Sequence, residues 1–448
     1  MTFGACSDLG LYDYRSCVPP WGSDLLFMRF TESLPLLPSE TWVQILMNLE
    51  PAPYGTASDN RDLKTVSTCC KAFYQICRPL LYKAVVLSRC TIPLLVRSLH
   101  AAPALEHFIY SVRILDDDYG LGGNLAQTRD ILSKIEREYR SPLFSDQEES
   151  LLLQHLEDNQ VEAWLALLLS RLNNIKELSW RGIDWKSASS GCLSRIARDA
   201  RSRISKLSTI RLEMIQEIPF HLDPLLQLHG LRELCIDNLL IIHPPNELPT
   251  VSGVTCLDIR HSIDPIMSPH ALGPLLQACP ELQVLRISMR GKHGHGSWER
   301  GSWVVQQIIK NIPPSAQSSL KTMELDIPIG SSPSSIGYLA PYTSLTDLQL
   351  PAVMILGSRS TRNGKLRLPR SLHRLTLFMT VTSTPIRERL SSALRKCIRD
   401  AQSLCQLTIL WPAETRGDRQ LNLSAFCSGR GIAFHTRDEG RPRISPCI

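Results

Sequence analysis

Residues 282–287 read LQVLRI, and this short stretch decides the fold of the chain. Leu282, Leu285 and Ile287 place apolar side chains at its first, fourth and sixth positions. Apolar residues at alternate positions are typical of a strand that buries one face, because successive side chains point to opposite sides of a sheet. The segment therefore predicts a strand whose last two apolar residues face a core.

The same pattern occurs nine times. The occurrences begin at Ile175, Leu207, Leu231, Val254, Leu282, Leu320, Leu345, Leu372 and Leu404. Successive occurrences begin 23 to 38 residues apart. Helix-sized apolar runs lie between them, at 193–200, 222–228, 271–278, 304–309 and 386–398. A strand and a helix repeated in this way predict an α/β solenoid with parallel strands on its concave face and helices on its convex face.

These repeats resemble the leucine-rich repeat family over residues 109–435, and residues 426–434 resemble a terminal half-repeat that acts as a cap. The sequence departs from the family at one position, where the family usually has Asn or Cys three residues beyond the last apolar residue. Here that position holds Ile183, Ile215, Leu239, Ser262, Arg290, Pro328, Val353, Thr380 and Pro412. We therefore expect a less regular array than the family pattern gives.

Strand positions between and just beyond the core residues are expected to face outward, and in the middle repeats they are charged. The candidate target-binding residues at these positions are Arg211, Glu213, Asp258, Arg260, Arg286, Glu324 and Asp326, with Phe378 and Leu410 as apolar anchors. Mixed charges favour a specific register with a protein partner. The alternative stays open that these positions are polar only because exposed strand positions usually are.

Residues 37–82 carry a different, helical pattern. Trp42, Ile45, Leu46 and Leu49 recur at intervals of three and four, and two further short amphipathic segments follow between Asp62 and Tyr82. Three helices in fewer than fifty residues bury little core by themselves, so this stretch is expected to lean on a neighbouring domain or a partner.

This stretch resembles the F-box. The matching residues are Leu37, Pro38, Glu40, Trp42, Ile45, Leu46, Leu49, Asp62, Leu63, Val66, Cys70, Phe73, Pro79, Leu81 and Tyr82, and the loop 50–61 is longer than the family's turn. The resemblance implies a substrate receptor in an SCF-type cullin–RING ubiquitin ligase, docked on a Skp-type adaptor and holding a target protein on its repeats. The implied adaptor-binding residues are Leu37, Pro38, Ile45, Leu46, Leu63, Val66 and Phe73. The alternative is a repeat scaffold outside any ligase.

The predicted domain organisation follows from these two regions. Residues 1–33 form a loosely attached segment, 34–83 the F-box, 84–172 a mostly helical linker with a first irregular repeat, 173–435 the repeats and 436–448 a tail. In the linker, the run Val161 to Leu172 is apolar on most of its surface and is expected to be buried.

Composition limits the function further. The net charge of +6 comes from 49 basic and 43 acidic residues that are widely spread, which argues against nucleic-acid binding. We expect no secretory signal and no membrane span, since no apolar run approaches twenty residues. The 14 cysteines form no CxxC pair, so reduced thiols and a cytoplasmic or nuclear location are expected.

No motif indicates catalysis, so a non-enzymatic protein without a cofactor or metal is expected. Residues 357–366, GSRSTRNGKL, lack the spacing and the hydroxyl residue of a phosphate-binding loop. His293, His295 and Glu299 could ligate a metal, but a glycine-rich loop does not preorganise them. Cys69 and Cys70 are expected to be packed thiols.

Overall fold

The computed structural model describes residues 39–47, 61–88, 91–115, 154, 156, 161–183, 204–214, 219–220, 223–237, 241–242, 252–262, 269–289, 301–327, 339–355, 368–379, 384–412 and 423–439. The chain forms two compact units, Met1–Lys176 and Glu177–Ile448, which we call the amino-terminal unit and the repeat unit. The finer boundaries predicted at residues 33, 83, 172 and 435 stay predictions.

The first described elements of the amino-terminal unit are three helices, Ser39–Met47, Arg61–Ser67 and Lys71–Lys83, which we call the helix trio. Two parallel strands, Ala84–Ser88 and Ser111–Leu115, follow, with helix Ile92–Ala101 and the 3-10 helix Pro103–Phe108 between them.

The last described helix of this unit is Val161–Arg171, and it contacts helix Ile92–Ala101. Its side chains Trp164, Leu165 and Leu168 are fully enclosed, as the all-round apolar sequence predicts. The Arg171 guanidinium, near the end of the helix, donates a hydrogen bond of 2.6 Å to Glu106. The apolar spacing at 131–139 and 151–156 predicts two further linker helices, which lie wholly or mostly outside the described residues.

In the described part of the repeat unit, ten strands pair in parallel, each with the next. They are Glu177–Ile183, Thr209–Met214, Glu233–Asp237, Cys256–Ser262, Val284–Met289, Thr322–Asp326, Asp347–Pro351, Arg374–Phe378, Gln406–Pro412 and Ala433–Glu439. Two short strands, Pro219–Phe220 and Ile241–Ile242, form a separate parallel pair. The predicted α/β class with parallel repeated strands is confirmed.

Helical segments separate many of the strands. They are Asp223–Leu226, Pro269–Gln277, Gly301–Asn311, Pro314–Ser319, Ala352–Ile355 (3-10), Thr384–Asp400 and Ser424–Ser428. Every apolar residue of the nine sequence patterns is at most 5% exposed. The predicted run 193–200 lies outside the described residues. No helix in the described part of the chain is long and apolar enough to cross a bilayer.

A ladder of backbone carbonyls joins successive repeats where seven of the described strands begin. The Ser208 carbonyl accepts both the Arg232 and the Glu233 N–H, at 2.8 and 2.9 Å. The same two-donor arrangement recurs at the carbonyls of Arg232, Thr255, Gln283, Lys321, Thr346 and His373. These bonds satisfy the backbone at strand entry, so the repeats are held in register there although the family's Asn or Cys position is not kept.

Thiol reactivity tests the burial of the core. Burial raises the pKa of Cys77 to about 11 and that of Cys279 to about 12, and both side chains are inaccessible. Because the thiolate is the reactive form, iodoacetamide at pH 8 should modify the exposed Cys69 and Cys405 in the native protein while Cys77 and Cys279 react only after denaturation. Peptide mass spectrometry checks this, and equal native modification of Cys279 and Cys405 would contradict the described core.

Candidate functional site

The helix trio has its own small core. Leu46, Leu63, Cys77 and Leu80 are buried against one another, and partly buried apolar residues surround them: Val66, Phe73, Ile76 and Leu81. Leu46 and Leu63 are 2% and 0% exposed. The expectation that these two leucines offer surface to an adaptor is therefore corrected, because internal packing encloses both.

Cys70 directly precedes the third helix of the trio, Lys71–Lys83. Its backbone is extended, and its Sγ accepts the Phe73 N–H at 3.5 Å, which places it at the N-cap. Cys70 is buried and Cys69 is exposed, so the expectation of a packed thiol holds for Cys70 and is wrong for Cys69.

Outside that core, the trio carries an accessible apolar surface. Ile45 is 42% exposed, and among the described residues only Ile45 and Tyr110 are large exposed apolar side chains. Beside the core, Trp42 and Phe73 form an edge-to-face ring pair with centroids 5.0 Å apart. Of the predicted adaptor-binding residues, Ile45 is thus exposed and Val66 and Phe73 are half-buried. Leu37 and Pro38 lie outside the described residues.

In the repeat unit, alternate strand positions leave one face of the sheet open. The charged stripe consists of the charged residues on this face in the first six strands: Glu177, Arg181, Arg211, Glu213, Glu233, Asp237, Asp258, Arg260, Arg286, Glu324 and Asp326. All of the predicted target-binding residues belong to this stripe except the apolar Phe378 and Leu410.

Arg211 joins three neighbouring strands at one end of the stripe. Its guanidinium lies 3.6 Å from the Glu177 carboxylate on one side and 3.4 Å from Glu233 on the other. Arg181 and Glu213 form a further pair at 3.1 Å. Glu177 and Glu233 were not among the predicted residues, because the prediction covered only the strand positions between and just beyond the core residues. These two glutamates stand two positions before Ser179 and Cys235. The same alternation places them on the open face.

Asp258 forms the middle of the stripe. Two nitrogens of Arg260 donate to its carboxylate, with Nη2 at 2.6 Å from Oδ2, and Arg286 Nη1 lies 3.8 Å from the same oxygen. Arg286 also pairs with Glu324 at 3.3 Å, and Ser288 Oγ donates to Asp326 at 3.3 Å. These contacts link the side chains across three strands.

Two predicted target-binding residues are not accessible. Asp258 is 0% exposed and Phe378 is 7% exposed, so the expectation that each offers its surface to a partner is corrected. Asp258 lies on the open face of the sheet, but Arg260 and Arg286 enclose its carboxylate. Phe378 is buried and is the register partner of Pro351 on the preceding strand. Leu410 is half-buried.

A further charged pair lies on the strands beyond the stripe. Arg374 donates a hydrogen bond to Asp347 on the preceding strand, and this bond raises the pKa of the guanidinium. The described residues contain no group of three side chains suited to a metal ion. His293, His295 and Glu299 lie outside those residues, as does 357–366. The described surfaces offer apolar contacts and ion pairs, which are means of recognition.

The chain matches no protein-family model and no curated protein.

Proposed function

We propose that this protein is the substrate-recognition subunit of an SCF-type cullin–RING ubiquitin ligase. The helix trio acts as an F-box that docks on a Skp-type adaptor, and the repeat unit acts as a leucine-rich repeat array that holds a target protein. The protein holds the target close to a recruited conjugating enzyme. This proximity makes a large contribution to the rate of ubiquitin transfer, although the protein supplies no catalytic group.

The exposure of Ile45 is the observation that carries the proposal. A large apolar side chain that stays accessible while its neighbours Leu46 and Leu63 are buried is the kind of anchor around which a protein interface forms. Trp42, Val66 and Phe73 are half-buried and extend the apolar area around the same small core. The F-box motif residues and the parallel repeated strands support the same function.

Substitution of Ile45 tests adaptor binding. Ile45→Asp places a charge where an apolar contact is expected, and we predict at least about 30-fold weaker binding of a Skp-type adaptor in a pull-down titration. Gln75→Asp, at an exposed polar position of the third helix, is the matched control and should leave binding unchanged. Leu37→Ala with Pro38→Ala is expected to weaken binding as well.

Wild-type protein that fails to retain the adaptor would refute the ligase function and favour the scaffold alternative. Circular dichroism of each variant separates lost contact from lost folding.

A further inference from the structure

The charged stripe has an excess of one sign. It contains seven carboxylates and four guanidinium groups, so it carries three net negative charges in a chain whose net charge is +6. The charges are concentrated on neighbouring strands of one sheet face. The field above this face is therefore opposite in sign to that of the chain as a whole.

The ion pairs decide which partner the stripe favours. All four arginines are engaged: Arg181 with Glu213, Arg211 with Glu177 and Glu233, Arg260 with Asp258, and Arg286 with Asp258 and Glu324. Because carboxylates outnumber these paired arginines seven to four, an acidic partner would meet net repulsion over the stripe, even though the Arg181 side chain is 59% exposed. A basic partner can add to carboxylates that are one-quarter to two-fifths exposed, such as Glu213 at 37% and Glu324 at 34%.

The stripe also has a definite length. Its central row runs through Arg211, Cys235, Asp258, Arg286 and Glu324, which are register partners on successive strands. The row then becomes uncharged at Gln349, Thr376 and Thr408. Six strands about 4.8 Å apart span roughly 24 Å, a length that about seven residues of extended chain cover.

We propose that the charged stripe binds an extended basic segment of the target protein, about seven residues long and rich in arginine or lysine. This inference rests on the proposed function for the identity of the partner as a ligase target. The excess negative charge lies on strands Glu233–Asp237 and Thr322–Asp326, each of which has two carboxylates and no arginine on this face. Arginines of neighbouring strands hold Glu233 and Glu324 in position. Charge complementarity of this kind governs partner choice and association rate.

Direct peptide binding to the full-length chain tests the proposal without the adaptor. The probe is a fluorescein-labelled nonapeptide of alternating serine and arginine, and its counterpart replaces each arginine with glutamate. In fluorescence anisotropy at about 50 mM salt, where exposed charges are less screened than at physiological salt, we expect the basic peptide to bind at least tenfold more tightly than the acidic one. The double variant Glu213→Gln with Glu324→Gln should weaken the basic peptide about tenfold.

The matched control changes net charge equally but away from the stripe. Glu281 and Glu388 are exposed on a turn and on helix Thr384–Asp400, so Glu281→Gln with Glu388→Gln should change basic-peptide affinity less than twofold. No binding of the basic peptide, equal binding of both peptides, or equal loss in both double variants would overturn the proposal. Failure of adaptor retention in the Ile45 experiment would leave this result unaffected, so the two proposals fail separately.

Discussion

Replacing Gly230 with alanine is expected to destabilise the repeat around strand Glu233–Asp237 by about 3 kcal/mol, at the upper end of the cost of overpacking. A Cβ at Gly230 would lie 2.2 Å from the Ser205 carbonyl oxygen and 3.1 Å from that of Leu207. Both atoms are backbone of the preceding repeat and cannot rotate away. The turn before this strand therefore has to move, which strains the carbonyl ladder at Ser208.

Gly253 provides a matched control because it occupies the equivalent position one repeat later. Gly230 and Gly253 each immediately precede the first apolar residue of a repeat, Leu231 and Val254. A Cβ at Gly253 would meet Arg232 Nη1 at 2.5 Å, the end of a flexible and exposed side chain, and the nearest backbone oxygen lies at 3.3 Å. Gly253→Ala should therefore cost less than about 1 kcal/mol.

Hydrogen exchange is the appropriate measurement, because a chain with two units need not unfold in one step. In Gly230→Ala, amides of strand Glu233–Asp237 should exchange roughly 100-fold faster than in the wild type, since every 1.4 kcal/mol is a factor of ten. Equal protection in the Gly230 and Gly253 variants would show that the close approach to Ser205 is not maintained in solution.

The residue at the position of these glycines varies from repeat to repeat, and the apolar pattern alone does not reveal how closely it packs. In the last four repeats the same position holds serine, namely Ser319, Ser344, Ser371 and Ser403, whereas the repeats that begin at Ile175, Leu207 and Leu282 hold Asn174, Lys206 and Glu281. Ser319 and Ser371 each donate to a carbonyl of the preceding repeat, those of Leu282 and Leu345, at 2.9 Å. The requirement for a small residue is therefore specific to single turns such as the one at Gly230, and only the folded structure shows which turns approach the preceding repeat so closely.

The strands could be predicted because hydrophobic alternation is a local property. All nine patterns fall on strands or directly before them, and the buried positions are the expected ones. The division of the helix trio could not be predicted, since Ile45 and Leu46 are adjacent apolar residues of one helix and only tertiary packing decides which is enclosed. The identity of the trio as an F-box stays a prediction.

The open face of the sheet shows the same limit of prediction from sequence. The sequence places Asp258 and Arg286 on one face, but the enclosure of Asp258 depends on two arginines that fold over it from its own strand and the next. Phe378 likewise follows the strand alternation and is still buried. Alternation predicts the direction of a side chain, whereas accessibility depends on the neighbours across the sheet.

Asp258→Ala is expected to cost about 2 kcal/mol of local stability. Removing one partner of a buried ion pair costs about 3–5 kcal/mol because the remaining charge is left without compensation. Here the side chains of Arg260 and Arg286 keep 26% and 29% exposure, so water compensates part of their charge and lowers the cost. Hydrogen exchange of strands Cys256–Ser262 and Val284–Met289 measures the loss.

Glu213→Ala is the control for Asp258→Ala, since it removes a carboxylate from a more exposed pair with Arg181 and should cost at most about 1 kcal/mol. A double-mutant cycle with Arg260→Ala isolates the Asp258–Arg260 coupling, for which we expect about 1–2 kcal/mol. A coupling near zero would mean that the bidentate contact contributes nothing to stability. The coupling should also persist in high salt, because Asp258 is enclosed and salt screens enclosed charges much less than exposed ones.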